Sequence, residues 1–277
     1  MKILSFGAGM QSTALALMSC ENAIHGKPVH PQVPIYDDVV FCDLGFEPPW
    51  VKDQMEFTKR ACESAGIHFK IIDAPLYQDF MKNFGERRTI SIPWWTLRDD
   101  GRKSIMPRNC TIDYKVQLIS KYVRWELLGY RKGQRLRPED VKAHEMHMGF
   151  SYEEKHRCKE SPNRMFVNRF PLVDMKLVRA DNYAYIRDVW GLETKASACS
   201  FCPYHKNYFF QHMKNFPEDY QKLIEMDELL RDKNPKPPMD SDLFISRSRK
   251  RLCDLTPEDC NDAEYFMYNQ QPVWNGF

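Results

Sequence analysis

The chain has 277 residues, with 40 Lys and Arg against 38 Asp and Glu and a net charge of +2. That balance excludes a polycation or a polyanion, so any nucleic-acid contact has to come from local basic patches. The length allows one large α/β domain with an extension, and neither an 18-residue apolar run nor a secretion signal is present, because Met1 to Ser5 is too short an apolar stretch. A cytoplasmic protein with no membrane partner is expected, and its nine cysteines read as thiols or metal ligands rather than disulfides.

In chain order, Ile3-Leu4-Ser5-Phe6 reads as a strand that runs through Gly7-Ala8-Gly9-Met10-Gln11-Ser12 into a helix over 13–20. Gly7 and Gly9 let the backbone turn sharply, and the first amides of the helix then face a bound anion, with Ser5, Ser12 and Thr13 as added donors. The spacing fits neither a Walker loop nor a dinucleotide loop. A second buried strand over 39–43 ends at Asp43 and leads into Leu44-Gly45-Phe46-Glu47. A helix over 50–65 stops at Gly66, and a third strand covers 68–72. This alternation predicts right-handed crossovers and a parallel sheet with ligands at the strand C-termini, where Gly7 and Asp43 both fall.

From 77 to 108 the pattern loosens, with Arg87-Arg88, Trp94-Trp95 and Arg98 in a stretch that reads as a functional loop. A helix over 111–128 is closed by Gly129, and Arg131, Lys132, Arg135 and Arg137 follow. Strands are expected over 144–150 and 168–172, and helices over 179–190, 206–215 and 217–231. The tail carries Pro235-Lys236-Pro237-Pro238 and Arg247-Ser248-Arg249-Lys250-Arg251.

Two further runs carry chemistry. Cys199-Ser200-Phe201-Cys202 is a C-x-x-C at a helix start, and Cys110 stands at another. That set suits an iron–sulfur centre; one structural zinc or plain buried thiols are the alternatives. Gly149 to Arg157 places Glu153, Glu154 and Arg157 directly after a strand, where they suit a metal and a phosphate or else a solvated, salt-bridged loop.

The ordered set resembles the phosphoadenosine phosphosulfate (PAPS) reductase-like branch of the ATP pyrophosphatases, or PP-loop superfamily. The matching pieces are Ser5 to Ser12, Phe41 to Glu47, Cys110-Thr111 to Lys115, Gly149 to Arg157, Pro171-Leu172 and Ser197-Ala198-Cys199-Ser200-Phe201-Cys202-Pro203, over roughly residues 1 to 231. The resemblance implies an adenine-nucleotide α-hydrolase-like, Rossmann-like α/β fold: a parallel sheet with helices on both faces. A nucleotide-binding domain over 1–195 and a mostly helical, cysteine-bearing extension over 196–277 packed on it are expected. ATP would lie over Ser5, Phe6, Gly7, Gly9, Gln11, Ser12 and Thr13, with Asp43 and Gly149 nearby. Asp43, Lys115 and Arg157 are the candidate catalytic residues, the last two for charge on the phosphates. A [4Fe-4S] cluster would rest on Cys110, Cys199 and Cys202, its fourth ligand Cys158 or His205, or one iron open.

Departures from the pattern narrow the function. Asn109-Cys110 stands where true reductases carry a Cys pair, and the end, Gln271 to Phe277, lacks their terminal nucleophile motif. The chain is therefore closer to the iron–sulfur thiolation enzymes, an adenylating sulfurtransferase that acts on tRNA or DNA. The basic runs would then meet phosphate backbone, and Trp94, Trp95 and Tyr204 would stack on bases. A sulfur-donor protein and a second copy in a homodimer are the other expected partners. Gln11 replaces the family's Asp, so Mg²⁺ would fall to Asp43, Glu153 or Glu154. The alternatives are a PAPS-type reductase and a nucleotide-binding accessory protein of a mobile-element or defence complex, without catalysis.

Overall fold

A computed structural model describes residues 1–86, 91–232 and 241–260. The Arg87-Arg88 pair, the Pro235-Lys236-Pro237-Pro238 run and the segment from Gln271 to Phe277 lie outside the described residues. Its strands are β1 (Lys2–Phe6), β2 (Asp38–Asp43), β3 (His68–Asp73), β4 (Trp95–Arg98), β5 (Lys103–Ile105), β6 (His144–Met148), β7 (Phe166–Arg169) and β8 (Ser241–Phe244). Its α-helices are α1 (Met10–His25), α2 (Pro49–Ser64), α3 (Leu76–Asn83), α4 (Gln117–Tyr122), α5 (Pro171–Asp174), α6 (Arg179–Trp190), α7 (Asn207–Met213) and α8 (Pro217–Asp232). Wider π turns flank α4, over Ile112–Val116 and Val123–Leu127. No helix among the described residues is long and apolar enough to cross a membrane.

The chain forms two compact units assembled from separated segments. The first takes Met1–Asp43, Pro49–Ile72 and Leu118–Ala198; the second takes Leu44–Pro48, Asp73–Gln117 and Cys199–Phe277.

The first unit is a Rossmann-like α/β layer. Its five-stranded sheet has the order β3-β2-β1-β6-β7, and β1 runs parallel to both neighbours. β2, β1 and β6 are the inner strands, and the near-continuous burial of Val39, Val40, Phe41 and Cys42 is what strands covered on both faces require. Phe6 packs its ring on Phe41 and Phe69, centroids 6.1 and 5.5 Å away, and ties the three strands together. Helix α1 is buried along most of its length and packs against α2, α5 and α6. Gly26 closes it and Gly191 closes α6, both at left-handed backbone angles that glycine adopts without a Cβ clash. Register fixes the ligand edge: Phe6 pairs with Phe41 and Ser5 with Met148, so Gly7, Asp43 and Gly149 leave the sheet on one side.

The second unit contains a three-stranded antiparallel sheet of order β5-β4-β8, with helices α3, α7 and α8. The stretch expected to be a loop over 77–108 therefore holds α3, β4 and β5. Trp94, expected to stack on bases, is 1% exposed with its ring 5.2 Å from Phe80, so it is core. Trp95 is half-buried: its indole donates to the Pro203 carbonyl at 2.7 Å, and the Arg249 guanidinium lies 5.1 Å from its ring.

Three side chains of the run Arg247 to Arg251 likewise have protein partners, though Lys250 and Arg251 stay exposed. Arg249 donates to the carbonyls of Thr96, Ser104 and Arg247, Lys250 pairs with Asp259 and Arg251 with Asp254. Each of those contacts competes with a phosphate for the same donors, which corrects the expectation of a free basic strip. In the first unit the strand expected over 168–172 is shorter and earlier, because Pro171 starts α5.

Candidate functional site

The phosphate-type loop follows β1 in the first unit. Ala8 sits at φ 53°, a left-handed angle that costs a non-glycine residue roughly 1–2 kcal/mol. The turn is held by its own groups: the Gly7 amide donates to the Ser12 hydroxyl at 3.2 Å, and that hydroxyl donates to the Gly9 carbonyl at 3.1 Å. Ser12 thus closes the loop, and Thr13 has a fully buried hydroxyl with no hydrogen-bond partner. Phe6 turns its ring into the core and Ser5 lies within the strand, so both flank the loop. Helix α1 begins at Met10 with no side-chain cap, which leaves its first amides toward the loop.

Gly149 closes the loop from β6. A Cβ there would stand 2.6 Å from the Ser12 amide nitrogen and 2.8 Å from the Gln11 carbonyl carbon. Backbone packs on backbone at that point, and only glycine fits.

The segment from Lys195 to Ser197 covers the other side, and the sequence reading missed it. Buried Gln54 on α2 donates to the Ala8 carbonyl at 2.5 Å and to the Lys195 carbonyl at 3.1 Å, and accepts from the Lys195 amide. Trp50 donates its indole hydrogen to the Ala196 carbonyl at 3.1 Å. Ser197 is thereby set on the loop, its hydroxyl 2.5 Å from where a Cβ on Gly9 would be. In the sequence Ser197 stood out only as the first residue of the Cys199–Cys202 run, and Gly9 only as a glycine of the loop.

Glu154 organises the acidic-basic run after β6. It is buried, and its carboxylate accepts from Gln11 at 2.9 Å and Ser151 at 3.3 Å, pairs with Arg179 at 3.3 Å and is bound by Arg157. Glu153 accepts the Arg179 amide at 3.0 Å. Both carboxylates, candidates for Mg²⁺ together with Asp43, hold donors of the protein itself. Arg157 rests on the Phe150 ring, 4.3 Å from its centroid, with its side chain 46% exposed. Asp43 ends β2 on the ligand edge.

The second unit holds the thiols. Cys110, Cys199 and Cys202 belong to it together with Lys115 and Arg108, whereas Cys158 belongs to the first. Cys199 and Cys202 share a thiol hydrogen bond, the charge of Cys110 acts on Cys199, and that of Cys202 acts on Cys110. That bond, the Tyr204 amide, Arg108 and Lys115 together outweigh burial and pull the Cys202 thiol down to about 7. The Cys199 thiol is pushed up as donor of the bond and by burial. Burial also raises Cys110, against the pull of Arg108.

Among the described residues no three His, Cys, Asp or Glu side chains form a ready-made metal site. The donor chemistry nonetheless fits a thiolate-ligated cluster: three sulfurs in one unit, one of them a thiolate near neutral pH, with two cations beside it. His205 is already engaged. Its ring stacks on Phe209 at 3.4 Å, its Nε2 meets the Cys199 carbonyl at 3.0 Å, and burial lowers its pKa to about 3. Exposed Tyr204 carries the Arg108 guanidinium 5.3 Å from its ring.

No protein-family model and no curated protein matches this chain. Among solved structures it is similar to the U34-tRNA thiolase NcsA from Methanococcus maripaludis with its [4Fe-4S] cluster, at 14% identity and a TM-score of 0.37, over 82% of this chain and 70% of that one.

Proposed function

We propose that the protein is an ATP-dependent, adenylating sulfurtransferase of the PP-loop kind that acts on a nucleic acid, tRNA or DNA. One observation carries this reading: Cys110 joins Cys199 and Cys202, some 90 residues on, in one unit where Arg108 and Lys115 help hold Cys202 near pKa 7. Thiols so arranged serve sulfur or metal chemistry, and the glycine-locked loop at the end of β1 serves the nucleotide.

In this reading the loop amides from Ala8 to Ser12 hold the phosphates of ATP, and Asp43 on the same edge positions the metal that accompanies them. A substrate oxygen attacks the α-phosphate; the new P–O bond forms as the bond to the β-phosphate oxygen breaks, and pyrophosphate leaves. Arg157, steadied by Glu154 and Phe150, offsets the charge that develops on the α-phosphate. The substrate oxygen then departs with AMP as a donated sulfur takes its place. Cys110, Cys199 and Cys202 would hold a [4Fe-4S] cluster, which when bound supplies iron able to carry that sulfur. The Cys199 thiol hydrogen bond, with Arg108 and Lys115, lowers the Cys202 thiol toward the thiolate form that ligation needs.

The test is anaerobic purification with iron and acid-labile sulfide quantified, followed by a pyrophosphate assay with tRNA, with DNA and with neither. Iron and sulfide in near-equal amounts, both lost in Cys202→Ala, and pyrophosphate release that depends on one nucleic acid are expected. Iron-free, colourless protein would sink the cluster assignment. Release with neither nucleic acid present, or with none at all, would sink the adenylation step.

A further inference from the structure

We infer that Ser197 is a direct ligand of the phosphate group bound at the β1 loop. The inference rests on the nucleotide reading above and adds to it a residue from a segment almost two hundred positions away. Three observations carry it. The Ser197 side chain approaches Gly9 closely enough that any Cβ there would collide with its hydroxyl oxygen at 2.5 Å and touch its Cβ at 3.5 Å, and the hydroxyl lies 3.9 Å from where a Cβ on Gly7 would be. The hydroxyl therefore stands beside both glycines of the loop.

Second, of the loop's own hydroxyls Ser12 is bound to Gly7 and Gly9, and Thr13, though without a partner, is fully buried and out of reach of solvent. Ser197 is half-buried and its hydroxyl makes no hydrogen bond to any described residue. That hydroxyl, reachable from solvent, can donate to a ligand oxygen held at the loop.

Third, the backbone that carries Ser197 is over-determined. Gln54 uses its amide oxygen and both of its hydrogen-bonding contacts at nitrogen to join Ala8 of the loop to Lys195, and Trp50 secures Ala196. Gln54 is 2% exposed, so none of this holding depends on solvent. The same residue that fixes the Ala8 carbonyl of the loop fixes the segment bearing Ser197, which sets their separation before any ligand arrives. Gln54 is a positioning residue and Ser197 the ligand.

The experiment measures binding of ATP, inorganic pyrophosphate and adenosine to the full chain and to Ser197→Ala and Ser197→Thr, with the thermal midpoint of each unliganded protein as the folding control. A hydrogen bond from a neutral hydroxyl to a charged oxygen predicts that Ser197→Ala weakens ATP and pyrophosphate about tenfold or more. Ser197→Thr keeps most of the affinity, adenosine binding is unchanged, and the midpoints agree. Wild-type affinity retained in Ser197→Ala overturns the inference and leaves the nucleotide reading standing. So does an equal loss for adenosine, which would mark a structural role. If the wild-type chain binds neither ATP nor pyrophosphate, the nucleotide reading fails and the inference falls with it.

Discussion

Replacing Gln11 by Asp, which restores the residue the PP-loop pattern has at this place, is expected to harm this protein. The Gln11 amide donates to Glu154 across 2.9 Å, and Glu154 is 9% exposed. An Asp side chain is one methylene shorter, so its carboxylate would stand roughly 4 Å from that of Glu154. At an effective dielectric near 20 the repulsion is about 4 kcal/mol. Arg157 and Arg179 lie on the same carboxylate and cancel part of it. A loss of about 2 kcal/mol in unfolding free energy at pH 7.5 is the working value, read by urea denaturation, whereas Gln11→Asn should lose only the hydrogen bond, about 1 kcal/mol. The pH dependence follows from sign. Two carboxylates in one site raise one folded pKa above its unfolded value, so the Asp variant's deficit is full at neutral pH and shrinks as pH falls through that raised pKa toward 4. An Asp variant as stable as wild type at pH 7.5, or one whose pyrophosphate release rises in proportion to Mg²⁺, would refute this account of Gln11.

Other outcomes follow from single contacts. Gly149→Ala forces a methyl to within 2.6 Å of the Ser12 backbone, which cannot swing away, so a loss at or above the usual 1–3 kcal/mol for overpacking is expected, and an unchanged thermal midpoint would count against the loop geometry. Trp94→Ala should cost about 3–5 kcal/mol as a core truncation, while the nucleic-acid affinity of the folded fraction stays the same. Asp140 accepts from the Tyr130 hydroxyl at 2.5 Å, and that bond, with Arg137 and His144, holds its carboxyl below the usual range. A depressed acid stabilises the fold above its unfolded pKa, so the penalty of Tyr130→Phe is largest at neutral pH and fades as pH falls through the folded pKa; a penalty that grows in acid would contradict the assignment.

What the sequence made legible is the part governed by local rules. Helix α6 was read with its bounds intact because Gly191 ends it, and β2 because a run of buried Val, Phe and Cys has nowhere else to go in a parallel sheet. β4 and β8 carry no such mark. Each has four residues, and Thr96 becomes a strand residue only by pairing with Leu243, almost 150 positions later. The basic run from Arg247 misled for a related reason: counting charges cannot reveal that Arg249 finds three carbonyls and that Lys250 and Arg251 find Asp259 and Asp254.

The site divides along the same line, and Gln11 is where the division changes the chemistry. Motif spacing singled out Gly7, Gly9, Asp43, Gly149 and the three cysteines as candidates; the glycines and Asp43 fall at strand ends and Cys110 at a helix start, while Cys199 and Cys202 lie in the turns before α7. It could not locate Ser197 or Gln54, whose places depend on two hydrogen bonds from one buried amide nitrogen. Against a family pattern, Gln11 counts as a missing acid and hence a missing metal ligand. Beside Glu154 it is a donor that a second acid would replace with repulsion, so the loop and the Arg157 segment are joined through a neutral contact. An acid at 11 and an acid at 154, each with its own metal, is one way to build this edge; an amide at 11 that leaves Glu154 to two arginines is another. The second asks fewer cations of the solvent, and it predicts pyrophosphate release less steeply dependent on free Mg²⁺ than a loop with its own carboxylate would give.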